Sequence, residues 1–99
     1  MQIVDTDVSE HRLVVEVFGR VQGVGFRYFV RTAATRLGVT GWVRNDRDGS
    51  VRVEAEGSAL RLNQLLEALR LGPSLSFVHD VKCDWQDPSG ADSDFTIRT

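Results

Sequence analysis

The stretch "RLVVEVFGRVQGVGFRYFVRTAATRLG", residues 12–38, changes pattern twice. Its first part, Arg12 to Phe18, is β-branched and aromatic and reads as a strand that ends at Gly19. From Phe26 onward, Phe26, Phe29, Val30, Ala33, Ala34 and Leu37 follow the i, i+3, i+4, i+7, i+8, i+11 spacing of an amphipathic helix, and Gly38 is placed to cap it. The junction, "GRVQGVGFR" at residues 19–27, gathers three glycines and two arginines. A strand that feeds a helix through a short loop is the first half of a split βαβ unit, so this stretch sets what the rest of the chain must supply.

The remainder supplies it. Thr40 to Arg44 and Ser50 to Ala55, where Val51, Val53 and Ala55 alternate with Arg52 and Glu54, flank the polar loop Asn45-Asp46-Arg47-Asp48-Gly49 and predict a β-hairpin. Ser58 is placed to cap a second helix whose stripe Leu62, Leu65, Leu66, Leu69 precedes the stop at Gly72-Pro73. Phe77 to Trp85 predicts a further strand, and Phe95 with Ile97 a short last one. The order β-α-β-β-α-β plus a terminal strand predicts an α+β, ferredoxin-like sandwich: an antiparallel sheet with both helices on one face, because each stripe must bury against the same sheet.

Ninety-nine residues make one domain, residues 1–99, with residues 1–10 expected to be a flexible N-terminal extension. A formal net charge of −2 argues against a broad nucleic-acid-binding surface, so any polyanion site must be local. No apolar run is long enough to span a bilayer, and the Met-Gln-Ile-Val-Asp start lacks a basic region or secretory core; the expectation is a cytoplasmic monomer. Cys83 is the only cysteine, which excludes an intrachain disulfide. It alternates with Val81 and Trp85 and is expected to be a small buried hydrophobe.

A loop holding Gly19, Gly23 and Gly25 can take positive φ and bring backbone N–H groups close to a ligand. It leads into a helix start, where unpaired N–H groups and the macrodipole favour an anion. Arg27 lies off the apolar stripe in that first turn, at the wrong end of the dipole for a cation, and a bound dianion would reverse the sign. The alternative is that the glycines make a tight connection and Arg27 is a solvated surface residue. A nucleotide P-loop is excluded because no Lys-Ser or Lys-Thr follows Gly23, and the dinucleotide fingerprint because position 28 is Tyr.

"GRVQGVGFR", followed by "LGVTGWVRN" (residues 37–45) and "DGSVRVEAEG" (residues 48–57), resembles the acylphosphatase family, small enzymes that hydrolyse the carboxyl-phosphate anhydride. The resemblance runs from about Arg12 to Arg98. It implies that Arg27 is the phosphate-binding arginine, that Asn45 positions the attacking water, and that Arg20, Val21, Gln22, Gly23, Val24, Gly25 and Phe26 form the backbone cradle. It implies a small-molecule acyl phosphate substrate, with acetyl phosphate, carbamoyl phosphate and 1,3-bisphosphoglycerate all compatible, and no cofactor. Ser76 and Thr99 depart from the common pattern at positions that bear on packing.

The chemistry is coherent on its own. A carboxylate of low pKa is a good leaving group, so the demands are charge neutralisation and an aligned water rather than a strong general acid. Asn45 can orient a water but cannot take its proton, which leaves a substrate phosphate oxygen as acceptor. His11 and His79 read as surface or packing residues. The loop Asp46-Arg47-Asp48-Gly49 is unlike a calcium loop, because that register puts Arg44 at the first ligand position and Ala55 at the last; no metal is expected. The rival readings are RNA binding, since RNA-recognition modules share the element order, and a catalytically idle phosphate-binding accessory module.

Overall fold

The computed structural model describes residues 9–99; of the expected flexible extension, residues 1–8 lie outside the described residues. Seven elements follow in the order β1 (His11–Arg20), α1 (Phe26–Leu37), β2 (Thr40–Asn45), β3 (Val51–Gly57), α2 (Ala59–Leu71), β4 (Phe77–Gln86) and β5 (Phe95–Ile97). The strands form one sheet in the order β4-β1-β3-β2-β5. Alternation decides the faces. Leu13, Val15 and Val17 of β1, Val51, Val53 and Ala55 of β3 and Val43 of β2 point to one side, and α1 and α2 close over them.

Each helix begins and ends where its residues dictate. Ser58 Oγ accepts from Arg61 N–H at 3.3 Å to cap α2, and Gly38, with φ 69°, closes α1 through its own N–H. Leu62, Leu65 and Leu69 are fully buried, each contributing about 1.5–3 kcal/mol relative to exposure. Along α1, Phe26, Val30 and Ala34 are buried and Phe29, Ala33 and Leu37 pack at the margin of the same core.

Two expectations are corrected. The sheet is mixed rather than antiparallel: β1, β3, β2 and β4 pair antiparallel, but β5 runs parallel to β2, with Gly41 opposite Phe95 and Val43 opposite Ile97. The reason lies in the return path. The chain leaves β4 at one edge and crosses the helix-free face, where Ser89 and Gly90 donate to Glu56 and Asp92 approaches Arg12, before entering the far edge alongside β2. Cys83 is exposed, not buried. Its register opposite Val15 does place it on the helix side, yet β4 is an edge strand, in which Val78 and Val81 pack against the core while Trp85, beyond Cys83, is 42% exposed.

On the helix-free face, Arg12 joins Glu54 at 2.7 Å and also pairs with Glu56, making a buried charge cluster under the 87–92 crossing. β1 carries a bulge at Phe18/Gly19. There Gly19 has φ 132° and an added Cβ would lie 2.1 Å from the Phe77 carbonyl oxygen, so only glycine fits where the strand turns toward the loop.

Candidate active site

Residues 21–25 connect β1 to α1, and the loop is anchored at both ends because Val21 and Phe26 are buried in the core, 1% and 2% exposed. Between these anchors Gly23 and Gly25 take φ 74° and 79°, the left-handed region that other residues enter at a cost of about 1–2 kcal/mol. A Cβ at either would meet no neighbouring atom, so the glycines serve backbone conformation rather than close packing.

That conformation leaves donors free. Among the described residues, the main-chain N–H groups of Gly23, Val24, Gly25, Phe26, Arg27 and Tyr28 have no hydrogen-bond partner outside regular elements, and α1 has neither a side-chain cap nor an acidic residue in its first turn. Unpaired N–H groups at the positive end of a helix dipole form an anion site in themselves. Arg27 adds a full charge that forms no ion pair among the described residues.

Asn45 ends β2 and reaches the same place. Its Oδ1 is buried and is the one buried side-chain polar atom without a hydrogen-bond partner among the described residues. A buried acceptor left unpaired costs about 1–3 kcal/mol unless water or ligand satisfies it. Asn45 also lines a cavity of about 90 Å³ together with Val21, Gly23, Gly25, Phe26, Arg27 and Tyr28. A site needs only ~10–15 Å³ on this measure to hold one water, so there is space for a group of several heavy atoms.

Of the residues singled out from sequence, Val21, Gly23, Gly25, Phe26, Arg27 and Asn45 therefore line one cavity, whereas Arg20, Gln22 and Val24 do not. Arg20 is exposed at the end of β1. Gln22 instead sends its side chain to the β2–β3 turn, where Nε2 donates to the Asp46 and Ser50 carbonyls at 2.8 and 2.9 Å. Tyr28 was missed by sequence reading; its place beside Arg27 and off the apolar stripe was the available signal. The Tyr28 ring is 62% exposed at the cavity mouth, with the Arg31 guanidinium 5.2 Å from its centroid.

No carboxylate, imidazole or thiol lines the cavity. The nearby acids of the hairpin turn are engaged elsewhere. Asp46 accepts from Arg44 at 2.8 Å, and the Ser50 hydroxyl and N–H both donate to Asp48 and hold its carboxyl below the usual range. His79 borders a separate surface cleft near Arg70, and His11 packs edge-on against Trp85 at 6.1 Å. Among the described residues no three His, Cys, Asp or Glu side chains come together as a metal site, and no helix is long and apolar enough to cross a membrane. The arrangement offers positive charge, convergent N–H donors and one amide acceptor, which suits holding a phosphoryl group beside a water.

Known proteins agree with this chemistry. A family model described as Acylphosphatase matches residues 13–97. An acylphosphatase of Salinibacter ruber is 51% identical over 90 residues, spanning 91% of this chain and 95% of that protein. The crystal structure of acylphosphatase from Bacillus subtilis aligns with a TM-score of 0.87 at 37% identity, covering 90% of this chain and 99% of that one. Full-length HypF, solved in a phosphate- and nucleotide-bound form, aligns with a TM-score of 0.86 at 26% identity over 97% of this chain and 13% of its own.

Proposed function

This chain belongs to the acylphosphatase family and hydrolyses the carboxyl-phosphate bond of acyl phosphates, and from that premise we propose how its residues divide the work. The phosphoryl group occupies the cavity between the 21–25 loop and Asn45. The Arg27 guanidinium and the free N–H groups of the loop hold its non-bridging oxygens and neutralise the charge that develops as the P–O bond breaks. Because these dipoles are fixed before substrate arrives, little reorganisation accompanies the reaction.

Asn45 Oδ1 accepts a hydrogen bond from a water and turns its lone pair toward phosphorus. Attack forms the new P–O bond; the bond to the acyl oxygen breaks, and the carboxylate departs with the electron pair. The water's proton passes to a phosphoryl oxygen, since no protein base lines the cavity. The products are a carboxylate and inorganic phosphate. The observation that carries this reading is that Arg27 and Asn45 line the same cavity while the Asn45 Oδ1 is buried without a hydrogen-bond partner.

The family relationship favours hydrolysis over RNA binding or an idle accessory role. RNA-recognition modules present aromatic residues on an open sheet face. Here that face carries Glu54 and Glu56 beneath the 87–92 crossing, and Trp42 is buried between Arg44 and Arg98. We take a single chain as the catalytic unit, because one chain supplies the whole cavity. The cytoplasm is its setting in this reading, since a reducing compartment suits one exposed thiol.

Hydrolysis in ¹⁸O-water under single-turnover conditions tests the route. The label is expected in inorganic phosphate. Label in the carboxylate instead would mean attack at carbonyl carbon and would remove the basis for the roles of Arg27 and Asn45.

A further inference from the structure

The cradle and the water site belong to different parts of the chain, and one side chain joins them. Gln22 sits between Val21 and Gly23 in the cradle loop. Its Nε2 donates one hydrogen to the Asp46 carbonyl at 2.8 Å and the other to the Ser50 carbonyl at 2.9 Å. Only the amide nitrogen can make this bridge, because both partners are acceptors.

The two carbonyls flank the residue that matters. Asn45 pairs with Val51 at the end of the β2–β3 ladder. Asp46 follows Asn45 and Ser50 precedes Val51, so the Gln22 amide clamps the neck of the hairpin one residue beyond the pair on each strand. The same carbonyls close the turn: Asp46 N–H donates to Ser50 O at 2.9 Å, and Gly49 N–H donates to Asp46 O at 3.1 Å. The turn is thus self-sufficient without Gln22, and what the Gln22 bonds add is its position relative to the loop. No other side chain of the 20–26 segment hydrogen-bonds the hairpin among the described residues.

We infer that Gln22 is a positioning residue that fixes the distance between the Asn45 water site and the phosphoryl cradle. This inference rests on the reading of Asn45 given above. A bound phosphoryl group needs only the loop N–H groups and Arg27, so its affinity does not depend on the hairpin. Turnover does, because a water misplaced by about 1 Å can lose on the order of 10²-fold in rate.

The test is a double-mutant cycle on the full chain with acetyl phosphate as substrate and inorganic phosphate as inhibitor. Gln22→Met keeps the length of the side chain and removes both donors. Gln22→Asn keeps the amide but stops one methylene short, and serves as the second variant should Gln22→Met fold poorly. Each is expected to lower kcat by roughly 10- to 100-fold while the phosphate inhibition constant stays within about 3-fold of wild type. In the Asn45→Ala background the same Gln22 substitution is expected to lower kcat by less than about 3-fold, because the group it positions is gone.

A purely structural role would lower the melting temperature and leave kcat of the folded enzyme near wild type, which would overturn the inference. So would an undiminished loss in the Asn45→Ala background, which would mean that Gln22 acts independently. Normal turnover by Asn45→Ala itself would overturn the reading of Asn45, and this inference with it. A large loss in Asn45→Ala with silent Gln22 variants would overturn this inference alone.

Discussion

Arg27 in the first turn of α1 and Asn45 at the last position of β2 line one cavity of about 90 Å³, and the Asn45 amide oxygen is buried without a partner. Neither is stable by itself in that place. A cation at a helix N-terminus is disfavoured by about 0.3–1 kcal/mol, and the buried oxygen lacks its hydrogen bond. A phosphoryl group with its water satisfies both.

Inorganic phosphate presents the same anion and is expected to inhibit competitively. Arg27→Lys keeps the charge but replaces a planar, two-point donor with a single ammonium, so its phosphate inhibition constant is expected to rise by about 10-fold. Steady-state inhibition kinetics on the two proteins check this. Non-competitive inhibition, or equal constants, would place the anion elsewhere.

The helix-free face sets the acid limit of the fold. Burial alone would raise the Glu56 carboxyl, but N–H donors from Ser89 and Gly90, the Ser89 hydroxyl and the Arg12 guanidinium outweigh it and bring the pKa down to about 2, from 4.5. A depressed folded pKa means that the contribution is fully present above about 4.5 and is lost as pH falls toward 2. Urea unfolding at a series of pH values is expected to show stability falling through this window. Glu56→Gln is expected to be less stable at pH 7 and to have a flatter acid limb. Parallel pH profiles for the two proteins would show that Glu56 is not the group responsible.

Cys83 lies on the helix side of β4 yet in solvent. A thiol reagent is expected to react with it completely in the native protein, without denaturant. Cys83→Ser is expected to change stability by less than about 0.5 kcal/mol, the range for surface substitutions. Protection of the thiol until unfolding would show that β4 is covered.

The course of β1, α1 and α2 was legible because each carries a single period with a clear stop, such as the Leu62-Leu65-Leu66-Leu69 stripe before Gly72. Cys83 was misread because alternation reports which face a residue is on, not whether the strand lies at the sheet edge. The parallel partner of β5 depends on a crossing held by Ser89, Gly90 and Asp92, contacts made with Glu56 and Arg12 far away in sequence. At the site, Arg27 and Asn45 stood out through the family motif, whereas the Gln22 side chain could not, since its partners are main-chain carbonyls that sequence leaves anonymous.

The most direct test is the rate of acyl phosphate hydrolysis, measured in chelator, for wild type, Arg27→Ala and Asn45→Ala, each verified as folded. Wild type is expected to turn over, and each variant to lose at least on the order of 10²-fold in kcat, the scale for removing one preorganised transition-state donor. Near-normal turnover by folded Arg27→Ala would contradict the assignment of this cavity as the catalytic site.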